Sequence, residues 1–470
     1  MHHAQPKGIY RGGIDIDAIE SSPRYTKGTD MQSYQELEQR WAEIQNAGGP
    51  EAFIRRELER RGVYRHERPN ILGLSEKEQK EIIRASQAER QATSELRQYV
   101  LEARKATHIL YLGPDIFWND FLQDDHFDPF ARDERLEQSG LPILHTVDDL
   151  VTFLQKSVSD LDIPMLRSFC YHRAMSTTCH YRQFSIPKKS GGVRNIWAPL
   201  PKLKALQKQI QVDIVEKMIT HGAAHGFVSG KSIYTNALEH TDSSLVIGVD
   251  LQDFFPTFTY PRVRGLFRSY GYSIGVATLL AAICTEAPRR QIQLDGTVYY
   301  IAAGPRCLPQ GSPASPAITN AMCLRLDRRL SQYAINNGWR YTRYADDLTF
   351  STQSTEVIDY APLLAMLKVV TKAEGLQIHP KKTSIMSKKC RQEVTGLVVN
   401  GAQTPRVPKE RRKLLRAALH NHQHNPQGLN IADALTIEQL IGHSAFVYMA
   451  HPEIGRSLLD AFAQLQNTST

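Results

Sequence analysis

The chain has 470 residues, 41% of them apolar, and a formal net charge of +8. That length and composition suit two or three packed units and exclude a disordered or fibrous chain. No apolar run comes near the ~18 residues a membrane span needs, and Met1-His2-His3-Ala4-Gln5-Pro6 has no apolar core of a secretory signal, so a cytoplasmic protein with no membrane contact is expected. None of the six cysteines (Cys170, Cys179, Cys284, Cys307, Cys323, Cys390) pairs at Cys-x-x-Cys spacing. Reduced thiols are therefore expected, with neither a zinc site nor a disulfide framework. The basic balance is compatible with a polyanionic partner.

Residues 1–30 are rich in Gly, Ser and Asp and predict a mobile start. Residues 31–106 are charged and helical in pattern. Ser75-Glu76-Lys77-Glu78 is a capping box, and Ile82, Ala85, Ala88, Ala92, Leu96 and Tyr99 then recur on one helical face. This region reads as a solvated accessory with one apolar stripe, or as a surface for a protein or RNA partner. Residues 107–140 are aromatic and acidic, a packing or linker segment. A second unit starts near 141, with a helix start at Thr146-Val147-Asp148-Asp149-Leu150, and runs without repeats to 470.

The chemistry lies in this second part. In Ile186-Pro187-Lys188-Lys189-Ser190-Gly191-Gly192-Val193-Arg194-Asn195-Ile196, two β-prone runs flank a Ser-Gly-Gly turn. Its cations on both arms can clamp a triphosphate, or simply be an exposed basic hairpin. Leu245-Val246-Ile247-Gly248-Val249 is a buried strand ending on Asp250. Phe254 and Phe255 follow, one of them core and Phe255 free to face a site; Asp253 is the weaker ligand candidate and a helix cap. Leu308-Pro309-Gln310-Gly311-Ser312-Pro313-Ala314-Ser315-Pro316 is a stiff turn into a helix, with Ser315 near its N-cap and Gly311 allowing close approach of backbone to a ligand. Tyr344-Ala345-Asp346-Asp347 sits between alternating runs, a hairpin whose tip carries adjacent carboxylates. Crowded carboxylates are costly without a cation, and three at strand ends can hold two magnesium ions and run nucleotidyl transfer. Gly375 to Thr383 puts Lys381 and Lys382 after a short strand. Val394 to Asn400 is β-rich, and Arg406, Lys409, Arg411, Arg412, Lys413 and Arg416 lead into a helical end suited to a nucleic-acid backbone or to solvent.

In this order and spacing, over about residues 141–470, these segments closely resemble reverse transcriptases. Asn236-Ala237-Leu238-Glu239-His240 and Val394-Thr395-Gly396 are similar to two signatures of the retron subgroup. His180-Tyr181-Arg182-Gln183-Phe184, Ala224-His225-Gly226-Phe227 and Thr342-Arg343-Tyr344 look like the longer retron enzymes of the myxobacterial type, which also carry an N-terminal extension. The resemblance implies an α+β right-hand polymerase: fingers, a palm with an antiparallel sheet, and a helical thumb, after a mainly helical extension. The corresponding segments are 1–140 (extension), 141–245 (fingers and start of palm), 246–393 (palm) and 394–470 (primer grip and thumb).

The resemblance also implies RNA-directed DNA synthesis on a cognate structured non-coding RNA. Priming from an internal guanosine 2′-hydroxyl would give branched RNA–DNA, in antiphage defence with an effector encoded nearby and contacted through residues 1–140. Asp250, Asp346 and Asp347, with the backbone of Leu251, would hold two Mg2+ ions, Mn2+ being able to substitute. Lys189, Arg194, Phe255, Gln310, Gly311 and Lys381 (or Lys382) would serve the dNTP, Phe255 as steric gate. Asn236, His240, Val394, Thr395, Gly396, Arg411 and Arg412 would serve RNA or primer recognition; for Asn236 and His240, local capping and packing is the other reading. Three alternatives stay open at this level. One is another bacterial reverse transcriptase, of abortive-infection, diversity-generating or group II intron type. Another is a non-catalytic RNA-binding scaffold. The third is an effector-recruiting extension whose removal, over residues 1–100, leaves synthesis intact.

Overall fold

A computed structural model describes residues 34–60, 73, 75–107, 110–111, 117–118, 132–171, 173–187, 193–356, 358–401, 403–424 and 435–468. The Gly/Ser/Asp-rich start, most of the aromatic segment before 131 and the tip of the basic hairpin, with Lys188 and Lys189, lie outside them. Contacts divide the chain into two interleaved units, Met1–Ile219 with Phe255–Met322 and Thr220–Phe254 with Cys323–Thr470. The stretch 246–393 therefore contributes to both units.

In the first unit, the helix Val147–Leu154 begins as the sequence predicts. The Thr146 hydroxyl accepts from the Asp149 amide, and the Asp149 carboxylate accepts from the Thr146 and His145 amides, which lowers its pKa. The core is the helix Ile274–Cys284, buried at every position from Gly275 on and free of charge; a helix enclosed on all sides needs no polar face. Around it, Arg306 donates to the carbonyls of Cys170, Ala282 and Thr285, so its buried guanidinium ties three segments together. The strands Tyr181–Pro187 and Val193–Pro199 form a seven-pair hairpin that is exposed over most of its length.

A three-stranded antiparallel sheet runs in the order Met175–Ser176, Thr297–Ala302, Arg289–Leu294. The helices Tyr34–Asn46 and Gly49–Arg60 pack on it. Ile44 and Ile54 bury against Met175, Leu294 and Ile301, with Trp41, Phe53 and Tyr299 around them, and the Arg290 guanidinium lies over the Trp41 ring. Residues of 34–60, Ile44 and Ile54 among them, are thus part of this unit's core. The capping box at Ser75 is present: the Ser75 amide donates to Glu78 and the Glu78 amide to the Ser75 hydroxyl. It opens the helix Glu76–Thr107. Along the apolar stripe Ile82 is half-buried, whereas Ala85, Ala88 and Ala92 are exposed.

In the second unit, an antiparallel sheet runs Gln377–Ile378, Leu245–Gln252, Asp347–Thr352, Arg340–Tyr344, with Ser384–Ser387 pairing the first half of Leu245–Gln252. The central strand alternates buried and half-buried residues past Gly248, as a covered strand does. The helices Leu324–Asn336 and Ala361–Ala373 belong to the same unit, the first with Leu326, Asp327, Leu330 and Ala334 on its buried face. The helices Lys409–His424, Ile437–Ala450 and Pro452–Thr468 close a second core of Leu415, Leu440, Val447, Leu458 and Phe462 that also takes in Val394, Leu397 and Val399. Among the described residues no helix is long and apolar enough to cross a membrane.

Removing residues 1–60 exposes the apolar sheet face of Met175, Leu294 and Ile301. Ile54→Ala alone is expected to cost about 2–5 kcal/mol, as for other buried large-to-small changes. Thermal unfolding of the truncated and substituted proteins checks this; unchanged melting would mean that the two helices add no stability.

Candidate active site

The carboxylates come together because two strands run side by side in register. Asp250, two residues from the end of its strand, pairs opposite Asp347. Asp347 also pairs with Tyr344, which leaves Ala345 and Asp346 as a two-residue turn, with Ala345 at φ 55°. The Leu251 amide donates to the Asp346 carbonyl at 2.9 Å and anchors the turn to the central strand. Asp347 is reached by solvent. Even so, the protein crowded around it, and then Asp346 and Asp250, push its pKa up to about 7.

Lys382 answers part of this charge. Its Nζ donates to both Asp250 oxygens, at 2.9 and 3.1 Å. The segment before it is laid along the central strand, Ile378 pairing with Leu251 and the His379 amide donating to the Asp250 carbonyl. That path brings Lys382 to the carboxylate and leaves Lys381 exposed, its amide turned to the His379 ring. Of the two candidate lysines, Lys381 and Lys382, it is Lys382 that meets Asp250. Among the described residues no three His, Cys, Asp or Glu groups stand ready to hold a metal as they are placed; the Asp250 carboxylate is closed on an ammonium instead. The donors still fit a hard divalent cation: they are carboxylate oxygens, and beside burial the Asp346 and Asp250 charges help to raise the Asp347 pKa.

Beneath the turn is a pair that the sequence reading missed. Arg343 and Asp327 are both 0% exposed and joined by two hydrogen bonds, Nε to Oδ1 at 2.8 Å and Nη2 to Oδ2 at 2.7 Å. The Tyr341 hydroxyl donates to the same carboxylate. Arg343 Nη1 reaches the Ala345 carbonyl at 3.1 Å and so holds the catalytic turn from below. Burial alone lowers the Arg343 pKa, but Asp327 outweighs it and holds the guanidinium charged. The strand Arg340-Tyr341-Thr342-Arg343-Tyr344 carries two arginines and a threonine, so its pattern does not show which arginine is buried; a buried one demands an anion.

Asn236 and His240 are both fully buried, which corrects the expectation that their side chains read RNA. One His240 ring nitrogen shares a hydrogen bond with Ser351 (2.8 Å) and the other with Thr342 (2.7 Å). The ring therefore bolts the two strands of the catalytic hairpin together. Burial drives its pKa down to about 3, so it is neutral. Asn236 lies on the short helix Ile233–Leu238, and its side-chain amide finds no partner among the described residues. Val394 is buried beside it in the same unit, in the hairpin Glu393–Val394/Leu397–Val398. Thr395 and Gly396 form its two-residue turn, both at positive φ. This is unusual for a β-branched residue, and the Thr395 hydroxyl is fastened to the Ile233 carbonyl.

The remaining candidates fall into three groups. Arg194 is exposed on the long hairpin, opposite Ile186, while Lys189 lies outside the described residues. The Gln310 carbonyl accepts from the Trp197 amide at the base of that hairpin. A Cβ at Gly311 (φ 119°) would meet the Trp197 carbonyl at 2.7 Å, so the close approach it permits is to the hairpin backbone rather than to a ligand. Ser315 is the first residue of the helix Ser315–Met322, and its hydroxyl closes the turn on the Pro309 carbonyl. Phe254 is the core phenylalanine and Phe255 is half-buried, in the one-turn helix Phe254–Thr257. On Lys409–His424, Arg411 is folded over the Phe446 ring and onto His443, and Arg412 is half-buried. The exposed cations of that helix are Lys409, Lys413 and Arg416, one face at helical spacing.

Residues 186–399 match the family profile described as reverse transcriptase (RNA-dependent DNA polymerase). Retron Mx162 reverse transcriptase of Myxococcus xanthus is 42% identical over 439 residues, covering 91% of this chain and 89% of that protein. The chain belongs to the retron reverse transcriptases. Retron Mx65 reverse transcriptase of Myxococcus xanthus is 40% identical over 68% of this chain and 71% of that protein. Retron Ec86 reverse transcriptase of Escherichia coli is 30% identical over 71% of this chain and 93% of that protein. This retron reverse transcriptase is an RNA-directed DNA polymerase of the right-hand α+β fold, with a helical N-terminal region. Enzymes of this kind work with divalent metal ions.

Two outcomes follow for the retron reverse transcriptase. Arg343→Met leaves Asp327 buried and unpaired and is expected to cost about 3–5 kcal/mol. The double change Arg343→Met, Asp327→Leu recovers most of that stability but not DNA synthesis, because the Ala345 carbonyl has lost its donor; full synthesis by the double variant would show the guanidinium to be dispensable. Between roughly pH 4 and pH 7 the folded chain keeps a proton on Asp347 that the unfolded chain has released. Stability without divalent cation therefore falls as pH rises through that window. Asp347→Asn removes this part of the slope, which melting of both forms across the window measures; an unchanged slope would place the proton elsewhere.

Proposed function

We propose that this enzyme copies its own structured non-coding RNA from an internal guanosine 2′-hydroxyl, yielding branched RNA–DNA, and that the product serves antiphage defence with an effector encoded nearby. The observation that carries the reading is the retron-type relationship along 91% of the chain, joined to an in-register Asp250–Asp347 pair with Asp346 on the adjoining turn.

In this reading Asp250, Asp346 and Asp347, with the Leu251 backbone, hold two magnesium ions. When bound, these acidify the attacking hydroxyl and hold the triphosphate. Lys382 neutralises Asp250 between reactions and offers its Nζ ammonium to the leaving phosphate during one. Arg194 and Lys189 meet the triphosphate, and Gln310 and Gly311 shape the hairpin base that borders the nucleotide. Phe255 excludes the ribose 2′-hydroxyl. Val394, Thr395 and Gly396 grip the primer strand. Lys409, Lys413 and Arg416 face the nucleic-acid backbone, with Arg411 and Arg412 stiffening the helix behind them. His240 and Asn236 shape the palm from inside.

The test is to purify the protein from cells expressing its native locus and treat the nucleic acid that accompanies it with a 2′,5′-debranching enzyme. A short DNA released from RNA by that enzyme is the expected result; DNA with no branch would move the protein to another class of reverse-transcriptase product. Asp346→Ala is expected to abolish the DNA while leaving the RNA bound, since it removes a metal ligand and no phosphate contact. In the same preparation Phe255→Ala should let ribonucleotides into the product, and unchanged discrimination would place the gate elsewhere.

A further inference from the structure

The segment His221–Lys231 is laid against the catalytic turn as an extra edge. The Arg343 amide donates to the Ala223 carbonyl and the His225 amide to the Arg343 carbonyl, both at 2.8 Å. Gly226 touches the turn itself: a Cβ there would sit 2.8 Å from the Ala345 nitrogen and 3.2 Å from the Tyr344 ring. The segment is also fastened on itself. Lys231 Nζ caps the Gly222 carbonyl, the Lys231 amide donates to the Val228 carbonyl, and the His225 ring bonds the Thr235 hydroxyl.

On this rigid support Phe227 is anomalous in two ways. Its side chain is 55% exposed, and its backbone is in the left-handed region at φ 59°. A bulky side chain there is strained, and strain of this kind persists where the surroundings enforce it and clusters at working sites. Nothing in the core rewards it, because most of the ring is in solvent. What the strain does achieve is placement: the Phe227 ring stands 6.0 Å from the Tyr344 ring, centroid to centroid, one residue before the turn that carries Asp346. An exposed Phe227 ring beside the half-buried Tyr344, which pairs with Asp347, suits a nucleic-acid base or sugar, which any sequence can stack on it.

We propose that Phe227 is a stacking platform for the nucleotide that carries the attacking hydroxyl, holding the primer end beside Tyr344 at every addition. This rests on the polymerase reading and is independent of how the first nucleotide is primed. The experiment therefore uses a DNA primer already annealed to an RNA template, so that failure of 2′-hydroxyl priming cannot be mistaken for failure of the platform. Phe227→Gly removes the ring and relieves the left-handed backbone; Phe227→Tyr keeps a ring. The glycine variant is expected to melt no lower than the parent, yet to need roughly tenfold more primer–template for half-maximal rate, the loss of one aromatic stack, with kcat at saturation changed far less. The tyrosine variant should restore the parent's primer requirement. An unaltered primer requirement in Phe227→Gly would overturn the proposal. So would a Phe227→Tyr variant as impaired as the glycine one, since that would make the position a matter of shape rather than of stacking.

Discussion

Three carboxylates, two on neighbouring strands and one on the adjoining turn, repel one another, and much of the second unit is arranged around that cost. The register that sets Asp250 beside Asp347 cannot slip by one residue without turning each strand's buried face outward, so the repulsion is built in. It is met from the front by Lys382 on Asp250 and tolerated at Asp347 by a raised pKa. From beneath, the turn is held by a charge that never reaches solvent, Arg343, itself held by Asp327. Such a frame holds together carboxylates that would otherwise push apart.

The frame explains why residues far apart in the chain behave as one part. His240 crosses the two strands of the catalytic hairpin through Thr342 and Ser351. The helix that precedes it is tied through Ile233 to Thr395, 162 residues on. The two short signatures that mark the retron subgroup, around Asn236 and around Thr395, are therefore neighbours, and Val394 belongs to the core shared with the C-terminal helices. In the first of them Asn236 and His240 are internal, a buried amide and a neutral histidine, while the turn of the second is strained at Thr395. A mutation at His240 would reach activity through the hairpin, without any contact to nucleic acid.

The N-terminal region divides in the same physical terms. Ile44 and Ile54 complete an apolar face of a three-stranded sheet that would otherwise be wet. The helix Glu76–Thr107, by contrast, keeps Ala85, Ala88 and Ala92 exposed. Small side chains bury little area, so leaving them in water costs little.

What the sequence by itself determined is local or ordered along the chain. Strand Leu245–Gln252 ending near Asp250, the Asp346 turn between alternating runs, the capping box at Ser75 and the helix start at Thr146 follow from short-range rules of pattern and turn chemistry, and the succession of segments carries the resemblance to the family. The tertiary structure decided which of two adjacent lysines meets Asp250, that Gly311 makes room for the Trp197 backbone rather than for a ligand, and that Arg411 lies on Phe446 while Lys409, Lys413 and Arg416 stay in solvent. It also decided that Asn236 and His240 are internal. These outcomes depend on which distant segment arrives opposite each residue. A polar side chain looks the same in a sequence whether it will face RNA or a buried hydroxyl, and only the partner across the fold distinguishes the two.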